Sequence, residues 1–396
     1  MATRCRLLRS ANRAGKLWCA KAVSMIDILV VGQTPPPYTG QSIMIQKMLD
    51  AHWEGVSLHH LRMNFSRTTE DIGKFQIGKL VELGRLIFLT YVRRMTTGAT
   101  VLYYPPAGPH LIPVIRDAVF LLLTRPFFKT TIFHFHAAGL GEFYESMPAS
   151  FRPLFRRAFF HPDVAIRLSS HGPEDGRKLH AARECIVACG IEDEARLYLE
   201  RRRPAQTSPT ILYVGVLRED KGILVLLEAL AHLRERGLQF NMRFVGGFAS
   251  SAFERTVKAF LSDRHLEGSV LFSGVLTGQP KSEAYADADV FCFPSYFAAE
   301  SFGLVLIEAM SFELPVVATL WRAIPDIVDD ELTGLLAPIR NADAIADRLE
   351  RLLKSPELRV EFGRRGRKKF LARFTAAEYQ RRLGAIFRSI ARDSAA

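Results

Sequence analysis

The chain alternates short apolar runs with longer helix-like stretches, and this alternation starts again near its midpoint. In the first half, apolar runs rich in β-branched and aromatic residues occur at 26–31, 101–104, 130–136 and 164–169. In the second half, the pattern returns at 210–214, 240–245, 270–272, 290–293 and 315–319. Strands that alternate with helices build parallel sheets with crossover helices. The sequence therefore predicts two doubly wound α/β domains.

The length and composition of the chain fit two globular domains with sizeable cores. It has 396 residues, of which 48% are apolar, and most domains hold about 100–200 residues. The segment 200–209 (ERRRPAQTSP) is charged and lacks apolar periodicity, which is typical of a linker. We expect a first domain over 25–205, a second over 206–372, and a C-terminal helix over 373–396 that packs back on the first domain.

Half of the net positive charge lies in residues 1–24. The chain has 53 Lys and Arg against 41 Asp and Glu, a net charge of +12, and the first 24 residues include six basic side chains and no acidic one. This segment lacks the apolar run of about 7–15 residues that a secretory signal needs. It is interpreted as a start site assigned too early, because a strand-like IDILVVG follows Met25, or as an organellar transit peptide. We expect it to lie outside the fold.

Composition also bounds the compartment and the partners. Five cysteines without a paired framework favour a reducing, cytoplasmic environment, and no apolar run reaches the roughly 18 residues of a spanning helix. No basic and aromatic module predicts nucleic-acid binding. Arg85, Arg93, Arg94 and Arg116 are interleaved with apolar runs. That pattern is typical either of peripheral contact with an anionic membrane or of ordinary solvated helices.

The segment 294–312 (PSYFAAESFGLVLIEAMSF) carries the strongest chemical pattern. It predicts a strand that ends at Pro294, a short loop with Glu300, and a helix that contains Glu308. In a wholly helical segment eight residues span about 12 Å, which is about the reach needed to hold both ends of a sugar–diphosphate–nucleoside. Gly303 and the unpaired N–H groups near it favour an anion site. The alternative is an amphipathic core helix with two unrelated glutamates.

A second pattern follows the strand predicted at 210–214. The loop GVLREDKG (215–222) places Arg218 and Lys221 three residues apart, just before a helix. Two cations at the carboxyl end of a strand suit a diphosphate and would stabilise it as a leaving group without a metal. The sequence offers no Asp-x-Asp on a credible loop and no completed Cys and His set, so no metal site is expected.

These patterns resemble family 4 of the glycosyltransferases, retaining enzymes of the GT-B fold, in which two Rossmann-like domains face an interdomain cleft. The family has two glutamates separated by seven residues, as Glu300 and Glu308 are, and an Arg-x-x-Lys loop, as Arg218 and Lys221 form. The resemblance covers most of 206–370, including IPDIVDDELTGLL. It is thinner over 25–200, where it rests on the loop 32–40, the HFH of 134–136 and the ACGIED of 188–193.

The resemblance implies a role for each of these residues. Arg218 and Lys221 would hold the diphosphate, Glu308 would bind the ribose hydroxyls and Glu300 would bind the transferred sugar. The residues so implied in donor binding are Arg218, Lys221, Glu300, Phe302, Gly303, Leu304 and Glu308. Those implied in catalysis are Glu300, His136, Arg218 and Lys221.

The first domain contributes weaker signals. His134 and His136 fall on one face of a strand by its period of two. The resemblance favours His136, the last residue of that strand, as the histidine near the reacting sugar, and a structural role is the alternative. Gly32, Thr39 and Gly40 mark a loop expected to contact phosphate or acceptor.

One departure bears on the donor sugar. The family often has two glycines where this chain has Arg322 and Ala323, so a side chain there could narrow the donor site or add a cation. The resemblance implies a retaining, hexosyl-type glycosyltransferase that moves a sugar from a nucleoside diphosphate, expected to be UDP, to a sugar or lipid-linked acceptor in polysaccharide or glycoconjugate biosynthesis. No cofactor is expected. A nucleotide-sugar 2-epimerase of the same architecture and a non-catalytic nucleotide-sugar binder are the alternatives.

Overall fold

The computed structural model of the chain describes residues 25–65, 77–199 and 208–395. The segment 1–24 and most of the linker predicted at 200–209 lie outside these residues. Within them the chain forms two six-stranded sheets, and apolar side chains pack on both faces of the first. This architecture confirms the predicted pair of doubly wound α/β domains.

The first sheet has the strand order β2-β1-β3-β4-β5-β6, and its neighbouring strands are parallel. Side chains of β1 alternate between two cores, with Ile28 and Val30 in one and Leu29 and Val31 in the other. The strands are β1 (Ile26–Gly32), β2 (Val56–Arg62), β3 (Val101–Tyr104), β4 (Thr130–His134), β5 (Val164–Arg167) and β6 (Arg183–Ile186). The helices are α1 (Gly40–Asp50), α2 (Ile77–Thr97), α3 (Leu111–Thr124), α4 (Leu140–Ser146), α5 (Arg152–Phe159), α6 (Asp175–Lys178) and α7 (Arg196–Leu199).

The second sheet has the order β12-β11-β10-β7-β8-β9, and it is also parallel. Its strands are β7 (Thr210–Val214), β8 (Asn241–Val245), β9 (Val270–Phe272), β10 (Val290–Phe293), β11 (Val316–Thr319) and β12 (Gly334–Ala337). The helices are α8 (Ile223–Glu235), α9 (Ser251–Asp263), α10 (Gln279–Ala286), α11 (Leu304–Ser311), α12 (Ile324–Ile327), α13 (Ala342–Lys354), α14 (Pro356–Arg373) and α15 (Ala376–Ala395).

Each sheet has a topological switch point, where the chain changes the direction in which it adds strands. In the second sheet this point lies between β7 and β10, which are neighbours although two strands separate them in sequence. In the first sheet it lies between β1 and β3. Open α/β sheets bind ligands in the crevice at the carboxyl ends of such strands. The loops 215–222 and 294–303 therefore flank the expected ligand crevice of the second domain.

The C-terminal helix α15 returns to the first domain. Phe387 packs edge-on against Trp53 with ring centroids 5.1 Å apart, and Arg183 donates a hydrogen bond to Ser389 Oγ at 2.8 Å. The residue just before α15, Thr375, lies against Gly190 of the first domain, and a Cβ placed on Gly190 would lie 2.3 Å from the carbonyl oxygen of Thr375. Only glycine allows these two segments to approach so closely.

Three strands were not predicted: β2, β6 and β12. All three lie at the edges of their sheets. β6 reads RECI, and its side chains alternate between half-buried and exposed, so it lacks the apolar run that marks a central strand. The predicted strand at 130–136 ends at His134, and the helix predicted from about residue 302 begins at Leu304.

Candidate active site

The two loops at the switch point of the second sheet touch each other. Gly222 has a backbone φ of 77°, in the left-handed region, and a Cβ on it would lie 2.1 Å from the carbonyl oxygen of Pro294. The backbone N–H of Tyr296 donates a hydrogen bond to the carbonyl oxygen of Asp220 at 2.9 Å. This close approach brings the cationic loop and the Glu300 loop into one site.

Lys221 and Glu300 form an ion pair at the centre of this site. Lys221 Nζ lies 2.6 Å from Glu300 Oε2, and Ser295 Oγ donates to the same oxygen at 2.9 Å. Glu300 is only 8% exposed. A buried carboxylate needs such partners, because losing its hydration is costly without them. The structure therefore joins two residues that the sequence analysis assigned to one site, and it adds Ser295, which the analysis did not assign a role.

Arg218 has a different environment from Lys221. Its guanidinium donates two hydrogen bonds to the carboxylate of Asp220, at 2.5 and 2.8 Å, and its side chain is 41% exposed. The ring of Phe297 lies 4.6 Å from both the Arg218 guanidinium and Lys221 Nζ. Cations near a ring face are attracted by its quadrupole, so Phe297 and Asp220 hold the cationic loop.

The helix α11 begins directly after the Glu300 loop. Gly303 has a φ of 88° and precedes the first helical residue, Leu304. Phe302 is buried and packs edge-on against Phe374 with centroids 5.8 Å apart, so its side chain belongs to the core. The backbone N–H of Leu304 lies in the first turn of α11, where helices leave N–H groups unpaired and attract anions, and those of Phe302 and Gly303 lie just before it.

Glu308 lies on α11, and both of its carboxylate oxygens have partners from α10. Lys281 Nζ donates to Oε1 and the Tyr285 hydroxyl donates to Oε2, each at 2.7 Å. Burial, together with the adjacent Glu308 carboxylate, raises the pKa of Tyr285 well above its ordinary value, so its hydroxyl keeps its proton. The sequence indicated only that a carboxylate in an apolar run needs a partner. Lys281 and Tyr285 were missed because they lie more than twenty residues upstream in sequence.

In the first domain, the loop after β1 leads into α1. Thr39 caps this helix, and its hydroxyl accepts a hydrogen bond from the backbone N–H of Ser42 at 3.1 Å. A Cβ on Gly32 would lie 2.9 Å from the side chain of Ile45, and one on Gly40 would lie 3.7 Å from Leu304. The Gly40 end of the loop therefore faces the start of α11 across the cleft.

His136 also lies at the cleft. Ser301 Oγ, next to Glu300, donates a hydrogen bond to the backbone carbonyl of His136 at 2.5 Å. The centroid of the His136 ring lies 4.1 Å from that of the His134 ring, and the hydroxyl of Tyr103 contacts His134 Nδ1. Burial lowers the pKa of His136 to about 3, so its imidazole is neutral near neutral pH.

A neutral His136 can donate or accept a hydrogen bond but cannot supply a positive charge. Burial, with a further effect from the neighbouring His136, also lowers the pKa of His134. His134 has no exposed surface, which fits the structural role that the sequence analysis left open for it.

A further contact between the domains involves Asp326 of α12. Its carboxylate accepts hydrogen bonds from the backbone N–H and the hydroxyl of Ser170, and Oδ1 lies 2.5 Å from His171 Nδ1. The hydroxyl of Ser169 also donates to it. The segment 324–336, singled out from sequence, therefore contacts the loop after β5.

Among the described residues, no group of three or more His, Cys, Asp or Glu side chains is arranged to bind a metal ion. Within the same ranges, none of the helices has the length and apolar character needed to cross a bilayer.

Comparison with known proteins gives a family match over the second domain. Residues 197–369 match the family described as "Glycosyl transferases group 1". This match covers most of the second domain predicted at 206–372. WcaL of Escherichia coli K12 carries the name of a colanic acid biosynthesis glycosyltransferase. This chain is 30% identical to it over 224 residues, which make up 55% of this chain and 53% of WcaL. The chain thus spans about half the length of this relative.

Solved structures match nearly the whole chain. Sucrose-phosphate synthase from Thermosynechococcus elongatus has a TM-score of 0.71 at 21% identity, over 92% of this chain and 99% of that one. HepE from Anabaena, solved with UDP and glucose, has a TM-score of 0.70 at 15% identity, over 91% and 99%. These likenesses show the fold, and the chain has the two-domain GT-B architecture that the sequence predicts.

Proposed function

We propose that the chain is a retaining glycosyltransferase of family 4 that moves a hexosyl group from a UDP-sugar to a sugar or lipid-linked acceptor in polysaccharide or glycoconjugate biosynthesis. The observation that carries this proposal is the pairing of Lys221 Nζ with Glu300 Oε2 at 2.6 Å, at the switch point of a domain that matches the group 1 glycosyl transferases. The name of WcaL and the UDP and glucose bound to HepE support it.

The proposed donor-site roles follow from the partners of each residue. Lys221 and Arg218 hold the diphosphate. Its oxygens give each cation a hydrogen-bond acceptor besides the carboxylate with which that cation is already paired. Glu300 accepts hydrogen bonds from the transferred sugar, and Glu308 accepts them from the ribose. The proposal requires Lys281 and Tyr285 to hold the Glu308 carboxylate in a fixed orientation for this purpose.

His136 is proposed to lie beside the reacting sugar as a neutral hydrogen-bonding group. Because burial lowers the pKa of its imidazole, His136 does not carry a positive charge near neutral pH. The charge that develops on the leaving diphosphate is then stabilised by Lys221, Arg218 and the N–H groups at the start of α11. We propose that transfer needs no divalent metal for this reason.

Binding and turnover test the proposal separately. Calorimetric titration should show binding of UDP and of a UDP-sugar, and incubation with an acceptor mixture should release UDP and form a glycoside with the anomeric configuration of the donor. Turnover should persist in EDTA. Conversion of a UDP-sugar without any acceptor would favour the epimerase, binding without turnover would favour the non-catalytic binder, and an inverted product would overturn retention.

A second proposal concerns the membrane, and it rests on α2. Val81, Phe88 and Met95 follow one another at intervals of seven residues, so they lie along one side of the helix, and they are 71%, 66% and 80% exposed. Arg93 is exposed beside them. Val81, Phe88 and Met95 together form an apolar line on α2. Such a line beside basic residues suits the interface of an anionic bilayer. We propose that this side of the first domain rests on a membrane that carries a lipid-linked acceptor.

The other arginines named from sequence contribute less to such a surface. Arg85 is paired with Glu82, and Arg94 donates to the carbonyl oxygen of Phe127 at 3.1 Å. Arg116 is paired with the buried Asp117. The apolar line on α2, more than the arginines, therefore supports membrane contact.

A further inference from the structure

Arg322 has an unusual backbone conformation and reaches across the cleft. Its φ is 49°, in the left-handed region that side chains other than glycine rarely adopt. Its guanidinium donates two hydrogen bonds to the carboxylate of Glu142 in the first domain, at 3.0 and 2.9 Å. These bonds lower the pKa of Glu142. The side chain therefore does not stand free in the donor site, as the sequence analysis considered, but is engaged by the opposite domain.

On the second-domain side, Arg322 is connected to the cationic loop. Its guanidinium lies 5.1 Å from the ring of Trp321, and the indole N–H of Trp321 donates a hydrogen bond to the carbonyl oxygen of Phe297 at 2.8 Å. The ring of Phe297 in turn faces Lys221 at 4.6 Å. These contacts connect Arg322, through Trp321 and Phe297, to the Lys221–Glu300 pair.

On the first-domain side, Glu142 lies in the first turn of α4, six residues after His136. This turn is fixed, because the backbone N–H groups of Gly139 and Gly141 donate to the carboxylate of Asp175 at 2.9 and 2.7 Å. Asp175 is 1% exposed. Glu142 therefore lies in a fixed turn that follows His136 in the chain.

We propose that the Glu142–Arg322 ion pair is an interdomain clamp that sets the separation between His136 and the Lys221–Glu300 pair. Its role in turnover rests on the proposed glycosyltransferase function, whereas its role in domain closure does not. Arg322 is a positioning residue in this account, since it acts on the donor site through Trp321 and Phe297. A left-handed conformation is unfavourable for arginine and persists only where its surroundings hold it, and the two hydrogen bonds to Glu142 supply such a constraint.

A charge swap tests the clamp. Arg322→Glu and Glu142→Arg each place like charges together, so each should lower kcat/KM about tenfold and raise the radius of gyration measured by small-angle X-ray scattering. The double variant restores an opposite pair and should recover most of both quantities. Arg322→Gly should also raise the radius of gyration, because it removes the ion pair while glycine keeps the left-handed backbone.

The control variant is Glu145→Arg on the same helix. Glu145 pairs with Lys178 of the first domain at 2.9 Å, so its reversal should leave the radius of gyration and kcat/KM unchanged. A double variant no more compact than the single variants would overturn the clamp. If no UDP-sugar is turned over by the natural chain, the proposed function fails, and the scattering measurements still decide whether the clamp exists.

Discussion

Lys221 and Glu300 neutralise each other within a largely buried site, and this decides what a substitution of either will do. Lys221→Ala removes the cation paired with Glu300, which is only 8% exposed, and leaves the hydrogen bond from Ser295 Oγ to its carboxylate. We expect kcat to fall about 10²–10³-fold, since one stabiliser of the developing charge is lost. UDP affinity should fall less. Steady-state kinetics and calorimetry give the two numbers, and Lys258→Ala, which removes an exposed lysine paired along α9, serves as the control.

The two glutamates should respond differently to loss of charge. Glu308→Gln weakens acceptance of ribose hydroxyl bonds, each worth about 1.5–3 kcal/mol when the acceptor is charged, so UDP and UDP-sugar should both bind more weakly. Glu300→Gln should lower turnover and leave UDP affinity nearly unchanged. Glu283→Gln on α10, whose exposed carboxylate accepts from Gln279, is the control. Equal loss of UDP binding in both site variants would contradict the division of roles.

Burial of a neutral His136 links its pKa to stability. Its pKa in the folded protein, about 3, lies below its ordinary value of 6.5, so between these values the unfolded chain binds a proton that the folded chain does not. The free energy of unfolding should therefore fall as pH drops below about 6.5, by up to about 1.4 kcal/mol per pH unit for this group.

Urea unfolding at several pH values between about 7 and 5.5 measures this dependence. His136→Gln should flatten the curve, while His52→Gln, at an exposed position, should not. Equal slopes in the natural chain and His136→Gln would show that folding does not lower the pKa of His136.

At the scale of elements, the contact between the loops after β7 and β10 depends on Gly222. A Cβ there would lie 2.1 Å from Pro294 O, and its φ of 77° is strained for other residues. Gly222→Ala should destabilise the protein by about 1–3 kcal/mol and weaken UDP binding, because Lys221 is its neighbour. Gly84→Ala on α2, where nothing lies within 4 Å of the added Cβ, should instead stabilise by about 0.5–1 kcal/mol. Thermal unfolding and calorimetry distinguish these outcomes.

The sequence predicts central strands and loop chemistry well, because both are local. Runs such as 290–293 are apolar whatever surrounds them, and a strand end followed by a cationic loop can be recognised from its own residues. Edge strands such as β6 have too few buried side chains to produce such a run. Partners were missed where contacts are distant: Lys281 is 27 residues from Glu308, and Arg322 finds Glu142 180 residues away, in the other domain.

At the scale of the whole molecule, the cleft is built by contacts that no single domain contains. Ser301 reaches the backbone of His136, Asp326 binds the loop 169–171, and Arg322 binds Glu142. The helix α15 also connects the two domains, because it follows the second domain in sequence and packs on Trp53 of the first. The polar groups that line the cleft therefore come together only because both domains contribute to it.

The membrane proposal is also a property of the whole molecule, and one surface substitution tests it. A chain that starts at Met25 should be used, because the six basic residues before it would bind anionic vesicles whatever the fold does. If the apolar line on α2 enters the bilayer interface, Phe88→Glu should reduce sedimentation with anionic vesicles severalfold, since it removes apolar burial and adds a repelled charge.

Leu271→Glu is the matched control for this test, because Leu271 lies on the second domain with a similar exposure, 58% against 66%. It should leave vesicle binding unchanged. Electrostatic attraction is screened over about 8 Å at physiological salt, so binding through the apolar line should persist in part at high salt, whereas Arg93→Glu should matter mainly at low salt. Equal effects of the Phe88 and Leu271 substitutions, or no vesicle binding at low salt, would exclude this surface and favour a soluble acceptor.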